Sequence, residues 1–169
     1  MKFVRFRSDI VNKNIVVIGA GNILLSDEGI GVHIVEELKK YESEFSGVCN
    51  ISFFDTGTSY FGDMLPHNPK VNKLIIIDAV KSGQRPGDVY KLDGYKFLSS
   101  VPRSLNKLSF HDDSLLDSLK MAEFSGKLPE NIVIIGIEPE KIEPGMNISK
   151  ILEDKFQDYI NIVVSEIKN

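Results

Sequence analysis

Short aliphatic runs alternate along the chain with stretches whose apolar positions recur every three or four residues. Ile15-Val16-Val17-Ile18, closed by Gly19, is unbroken by polar residues, the pattern of a strand buried on both faces. Ile30, Ile34, Val35 and Leu38 then recur at helical spacing. Ile51–Phe54 reads as a second strand and Thr58–Leu65 as a short helix. Leu74-Ile75-Ile76-Ile77 is a third buried strand that ends in Asp78. Turn signals at Ser82-Gly83 and Pro86-Gly87 lead to a fourth strand at Val89–Leu92. A helix from about Asp112 carries Leu115, Leu119 and Ala122, and Ile132–Ile137 is a further strand. Ile151, Leu152, Phe156, Ile160, Val163, Val164 and Ile167 line one face of a long last helix. Strands alternating with helices predict an α/β three-layer sandwich. Its mainly parallel, twisted central sheet has about five strands, with helices on both faces.

Composition adds bounds to this picture. With 169 residues, 42% of them hydrophobic and 26% charged, the chain suits a single domain over 1–169, with residues 1–13 as an N-terminal extension ahead of the first strand. Twenty Lys and Arg stand against 24 Asp and Glu, a net charge of −4, which speaks against binding to a nucleic-acid backbone. Lys2, Arg5 and Arg7 are followed by polar residues and not by an apolar stretch, so no secretory signal is expected. No apolar run approaches the roughly 20 residues of a membrane span. One cysteine, Cys49, forms no internal disulfide, and a reducing compartment, the cytoplasm, is the default. With one cysteine and three histidines, metal or hydrolytic chemistry must lean on carboxylates.

In an open α/β sheet, ligands bind beyond the carboxyl ends of the strands. Beyond the first strand lies Gly19-Ala20-Gly21-Asn22-Ile23-Leu24-Leu25-Ser26-Asp27-Glu28-Gly29-Ile30-Gly31. A dinucleotide fingerprint needs glycine at position 24, where Leu24 denies the close approach of helix to strand, and the Lys-Ser/Thr of a phosphate loop is absent. The segment offers acids. Asp27 and Glu28 are either first-turn helix acids, with Ser26 or Asp27 as the cap, or ligands to which the flanking glycines give access. Asp78, at the tip of a buried strand, is either bonded to loop amides or faces the crevice. His111 precedes a helix, an end whose dipole does not favour a cation. His33 reads as a surface residue and His67 as a turn residue. Glu28, Asp78 and His111 together make a mixed oxygen and nitrogen set suited to a borderline divalent ion such as Ni, Zn or Fe. Covalent catalysis has little support: there is no Gly-x-Ser-x-Gly elbow, no His-Glu-x-x-His helix, and no His near Cys49.

Residues 19–32, as Gly-x-Gly-Asn-x-Leu-x-x-Asp-Glu-Gly-x-Gly-Val, resemble the opening motif of the maturation endopeptidases of nickel–iron hydrogenases. The resemblance continues in order through Asp55-Thr56-Gly57-Thr58, Leu74–Val80, Ser109-Phe110-His111-Asp112, Gly136-Ile137-Glu138-Pro139 and Gly145–Ser149, covering about residues 14–167. It implies a protease that removes a C-terminal extension from the nickel-loaded precursor of a hydrogenase large subunit. Glu28, Asp78 and His111 fall on the family's metal-contacting positions, and Asp55, Gly57 and Thr58 on a motif linked to substrate recognition. The nickel (Ni2+) is then carried by the substrate, and ions such as Zn2+ or Cd2+ fit the same donors. The implied partner is the precursor, with no nucleic acid and no membrane. Residues 93–110, with Pro102, Arg103 and Lys107, are the least patterned and read as a mobile loop that meets the substrate. Two other readings stand beside this one: a metal-dependent hydrolase of the same fold with another substrate, and a non-enzymatic module that grips a metalloprotein or nucleotide.

Overall fold

A computed structural model describes residues 13–45, 49–57, 65, 70–100, 109–110 and 114–169. Strand β1 (Asn14–Ala20) leads through a 3-10 turn (Ser26–Gly29) into helix α1 (Ile30–Lys39). Strands β2 (Asn50–Gly57), β3 (Lys73–Lys81) and β4 (Val89–Asp93) follow, then helix α2 (Gly94–Ser100) and the two-residue strand β5 (Ser109–Phe110). Helix α3 (Ser114–Phe124), strand β6 (Asn131–Ile137) and helix α4 (Lys150–Lys168) complete the order. The sheet runs β2-β1-β3-β6-β4, and β5 pairs with β3. The β2/β1, β1/β3 and β3/β6 pairs are parallel, while β4 is antiparallel to β6. This is the mainly parallel five-strand sheet expected from the sequence, with β5 added at one margin.

Alternation along each strand feeds two cores. Ile15 and Val17 of β1, with Ile75 and Ile77 of β3, pack under α1 and α4. Val16 and Ile18, with Leu74 and Ile76, pack against Phe97 of α2 and Leu115, Leu119 and Ala122 of α3. Both faces are covered, so the strands carry unbroken aliphatic runs. In α4 the expected stripe holds for Leu152, Ile160, Val163, Val164 and Ile167, whereas Ile151 is exposed.

Two expectations change, and a third lies largely outside the described residues. Asp78 does not end its strand, because β3 continues through Ala79 and Val80 to Lys81. Residues 94–100, expected within a loop, form helix α2, whose Phe97 is buried in the second core. The short helix expected at Thr58–Leu65 lies, but for Leu65, outside the described residues.

The chain leaves β1 toward β2 on one side and returns to β3 on the other. The carboxyl ends of β1 and β3 therefore form a topological switch point, where such sheets open a crevice. At the opposite edge, Glu166 of α4 is buried between Lys73 of β3 and Lys91 of β4, and Lys73 Nζ also donates to the Glu166 carbonyl at 2.7 Å. Burial pushes the Glu166 carboxyl up, but hydrogen bonds and charge from Lys73 and Lys91 outweigh it and hold the group below the usual carboxylate range.

Candidate active site at the carboxyl edge of the sheet

Helix α1 starts unusually close to the sheet. A Cβ added to Gly31 would stand 2.2 Å from the Ile77 carbonyl oxygen and 2.6 Å from that of Ala20. Gly19 faces Gly31 in the same way, with its virtual Cβ 2.3 Å from the Gly31 oxygen. The close approach that Leu24 denies at position 24 is made at Gly31 instead. It presses the 3-10 turn carrying Glu28 onto β3. Gly21, at φ +119°, passes so near the Glu28 carbonyl that any side chain would collide with it.

The acids of this turn divide their work. Asp27 is fully buried and caps neither the turn nor α1. Its Oδ2 accepts from the amides of Glu140 (2.9 Å) and Lys141 (3.1 Å), and its Oδ1 accepts from the amide of Ser149, the residue before α4. This corrects the reading of Ser26 or Asp27 as a helix cap. Ser26 adopts φ 53°, a left-handed conformation costly for a side-chain-bearing residue. Two bonds to the far loop hold it there: its amide donates to Gly145 O (2.7 Å) and its Oγ to Glu143 O (3.0 Å). Residues 24–27 and 140–149 are thus fastened together, and Glu28, buried at 6% exposure, is set down against β3 by a rigid turn.

Asp78 is the first β3 residue past the end of the β1 pairing, since the last β1 partner, Gly19, stands opposite Ile77. It is buried, and its Oδ1 accepts from the following amide of Ala79 at 2.9 Å. Asp78 thus lies in β3 just past the end of β1, and Glu28 lies on the 3-10 turn that packs against β3. Beyond Asp78, β5 pairs with β3, Phe110 opposite Val80. The described chain stops there, and His111 lies outside the described residues. Among the described residues no three His, Cys, Asp or Glu side chains group as a metal site.

Strand β2 brings Asp55, Thr56 and Gly57 to the same edge. Asp55 pairs with Gly19 and is exposed, and Gly57 pairs with Ala20. The extra residue between them, Thr56, is buried and donates from Oγ1 to the Gly19 carbonyl at 3.3 Å. The register shift ends regular pairing at the rim, a common device where a strand must re-aim a side chain. Thr58 lies outside the described residues, as does His67. His33, expected at the surface, is half-buried between α1 and the start of α4, and its Nε2 is buried with no hydrogen-bond partner among the described residues.

Glu138, quoted above only as part of a motif, is a clamp. It accepts from the amides of Ser82 (2.8 Å) and Gly83 (3.1 Å). Its Oε2 also meets Ser82 Oγ (2.8 Å) and Tyr90 Oη (2.9 Å). Burial raises the Glu138 carboxyl, but the donors from Ser82, Tyr90 and Gly83 prevail and keep it below the ordinary range. Cys49 is buried ahead of β2, and burial pushes its thiol up, which makes it a poor nucleophile.

A sequence profile described as hydrogenase maturation protease matches residues 32–166. The chain is similar to the hydrogenase 2 maturation protease of Escherichia coli, 33% identical over 159 residues, covering 91% of this chain and 90% of that protein. It superposes on the hydrogenase maturating endopeptidase HybD from E. coli with a TM-score of 0.72, 28% identity and 92% of each chain covered. The nickel–iron hydrogenase maturation protease HybD from Thermococcus kodakarensis shares the fold at a TM-score of 0.72 and 23% identity, over 92% of this chain and 99% of that one.

Proposed function

Since the chain belongs to the hydrogenase maturation protease family, we propose that it removes a C-terminal extension from the nickel-loaded precursor of a hydrogenase large subunit. In this reading the nickel arrives as part of the substrate. Glu28, Asp78 and His111 bind it from one side and leave the other to the precursor. Asp55 and Gly57, at the neighbouring end of β2, receive the peptide together with Thr58. The metal polarises the scissile carbonyl, and a water activated by the metal or by one of the two carboxylates attacks the carbonyl carbon. Because the enzyme supplies only part of the coordination, an unloaded precursor forms no complete site and is spared. Two carboxylates and an imidazole also accept Zn2+ or Cd2+.

One observation carries the proposal: two buried carboxylates come to the switch-point side of β3, Asp78 from the strand itself, just past its pairing with β1, and Glu28 from the 3-10 turn that packs against that strand. The test is a processing assay on purified precursor with and without nickel. Cleavage of the loaded form alone is expected, and equal cleavage of both forms, or of neither, overturns the reading.

A further inference from the structure

Asn22, two residues past β1, has a side chain of which the fold uses one half. Its Oδ1 accepts from the Leu24 amide at 2.9 Å, and its main-chain carbonyl accepts from the Leu25 amide at 3.0 Å. Because the Leu24 group is an N–H, the carboxamide must turn its oxygen to it, and the planar group then fixes the direction of Nδ2. That NH2 has no hydrogen-bond partner among the described residues, and the residue is half-buried. Packing, and not sequence proximity, sets Asn22 beside Glu28. The virtual Cβ of Gly21 meets the Glu28 carbonyl oxygen at 1.8 Å, and that of Gly29 meets Ile23 at its Cα (2.8 Å) and its N (3.2 Å). Residues 21–23 therefore cross directly over the peptide that joins Glu28 to Gly29.

Other donors described at this edge are spent within the fold. Asp27 takes the amides of Glu140, Lys141 and Ser149, and Glu138 takes the hydroxyls of Ser82 and Tyr90. Ionised carboxylates such as Glu28 and Asp78 can hold a cation but offer nothing to a peptide carbonyl, which needs a donor. An ammonium group in that place would compete with the cation, whereas a neutral NH2 does not. We propose that Asn22 Nδ2 donates to the oxygen of the scissile carbonyl, a bond that tightens as water adds and charge gathers on that oxygen. Asn22 passes no proton. This rests on the reading of the Glu28 and Asp78 edge as the processing site.

The experiment is steady-state processing of nickel-loaded precursor by the full chain carrying Asn22→Asp or Asn22→Ser. Both replacements accept from an amide two residues on, so the turn is kept. Neither supplies the NH2: the aspartate has no donor, and the serine hydroxyl ends a bond short of it. One is charged and the other neutral, which separates loss of the donor from a change of charge. Both variants are expected to lower kcat roughly 10²–10³-fold, with KM changed far less and the melting temperature that of the wild type. A wild-type kcat in either variant, with the wild type active, overturns the donor and leaves the proposed activity standing, as does a loss confined to KM. A kcat loss that follows a lowered melting temperature in both variants assigns Asn22 to the turn alone and also overturns it. A wild type that fails to process loaded precursor overturns both readings.

Discussion

The two edges of the sheet bury carboxylates in opposite ways. At the amino edge, Glu166 lies between two ammonium groups, Lys73 and Lys91, and its charge is cancelled where it stands. At the carboxyl edge, Asp27 and Glu138 are held by backbone amides and hydroxyls and have no ion pair among the described residues. Neutral donors solvate a carboxylate without removing its charge. One edge is an ion-paired lock, one carboxylate between two ammonium groups, that joins α4 to the sheet. The other keeps negative charge around Glu28 and Asp78, a field suited to a cation.

The sharpest way to break this comparison is to neutralise the carboxyl edge. Glu28→Gln or Asp78→Asn should lower precursor processing by roughly 10²–10⁴-fold while the protein stays folded, measured as rate beside circular dichroism. Gly31→Ala is expected to be the most damaging to stability. The new methyl meets two carbonyl oxygens of the sheet that cannot yield, and a loss of about 3 kcal/mol or more should appear on thermal or urea unfolding. Asp27→Ala strips the acceptor from three amides at residues 140, 141 and 149. About 3 kcal/mol of lost stability is expected, with hydrogen exchange accelerated first at those amides.

The amino edge gives the smallest effect and a different signature. Glu166→Gln should cost about 2 kcal/mol at pH 7. The folded carboxyl lies below its unfolded value of about 4.3, so its contribution is complete above that pH and fades as pH falls through the folded value. The gap between wild type and variant should therefore narrow on acidification toward about pH 3 in urea titrations. A gap constant with pH would mean that the lysines do not stabilise the ionised form.

The sheet was legible because each inner strand is buried on both faces and so carries an unbroken aliphatic run. Asp78 misled by interrupting such a run, since the chain goes on through Ala79 and Val80 in the same strand. That continuation could be read as apolar residues, but not as a strand outlasting its neighbour, which depends on pairing with β1. The helix α2 was hidden because its span is short and its apolar residues, Tyr95, Phe97 and half-buried Leu98, are too few to show a helical period. At the candidate site, residue types and strand ends were enough to single out Glu28 and Asp78. The roles of Asp27 and Glu138 were not legible, because their partners lie 113–122 and 48–56 residues away, and no local pattern records so distant a donor.

The fastening of Asp27 to the start of α4 also sets an order of events. The turn bearing Glu28 is synthesised well before its anchor, the amide of Ser149, which lies 122 residues beyond Asp27. A nascent chain can pair β1 with β2 and β3 well before then, but closing a loop this long must wait for its far end. A ribosome-bound fragment, or a product cut short before residue 149, therefore carries both carboxylates without the brace that aims one of them.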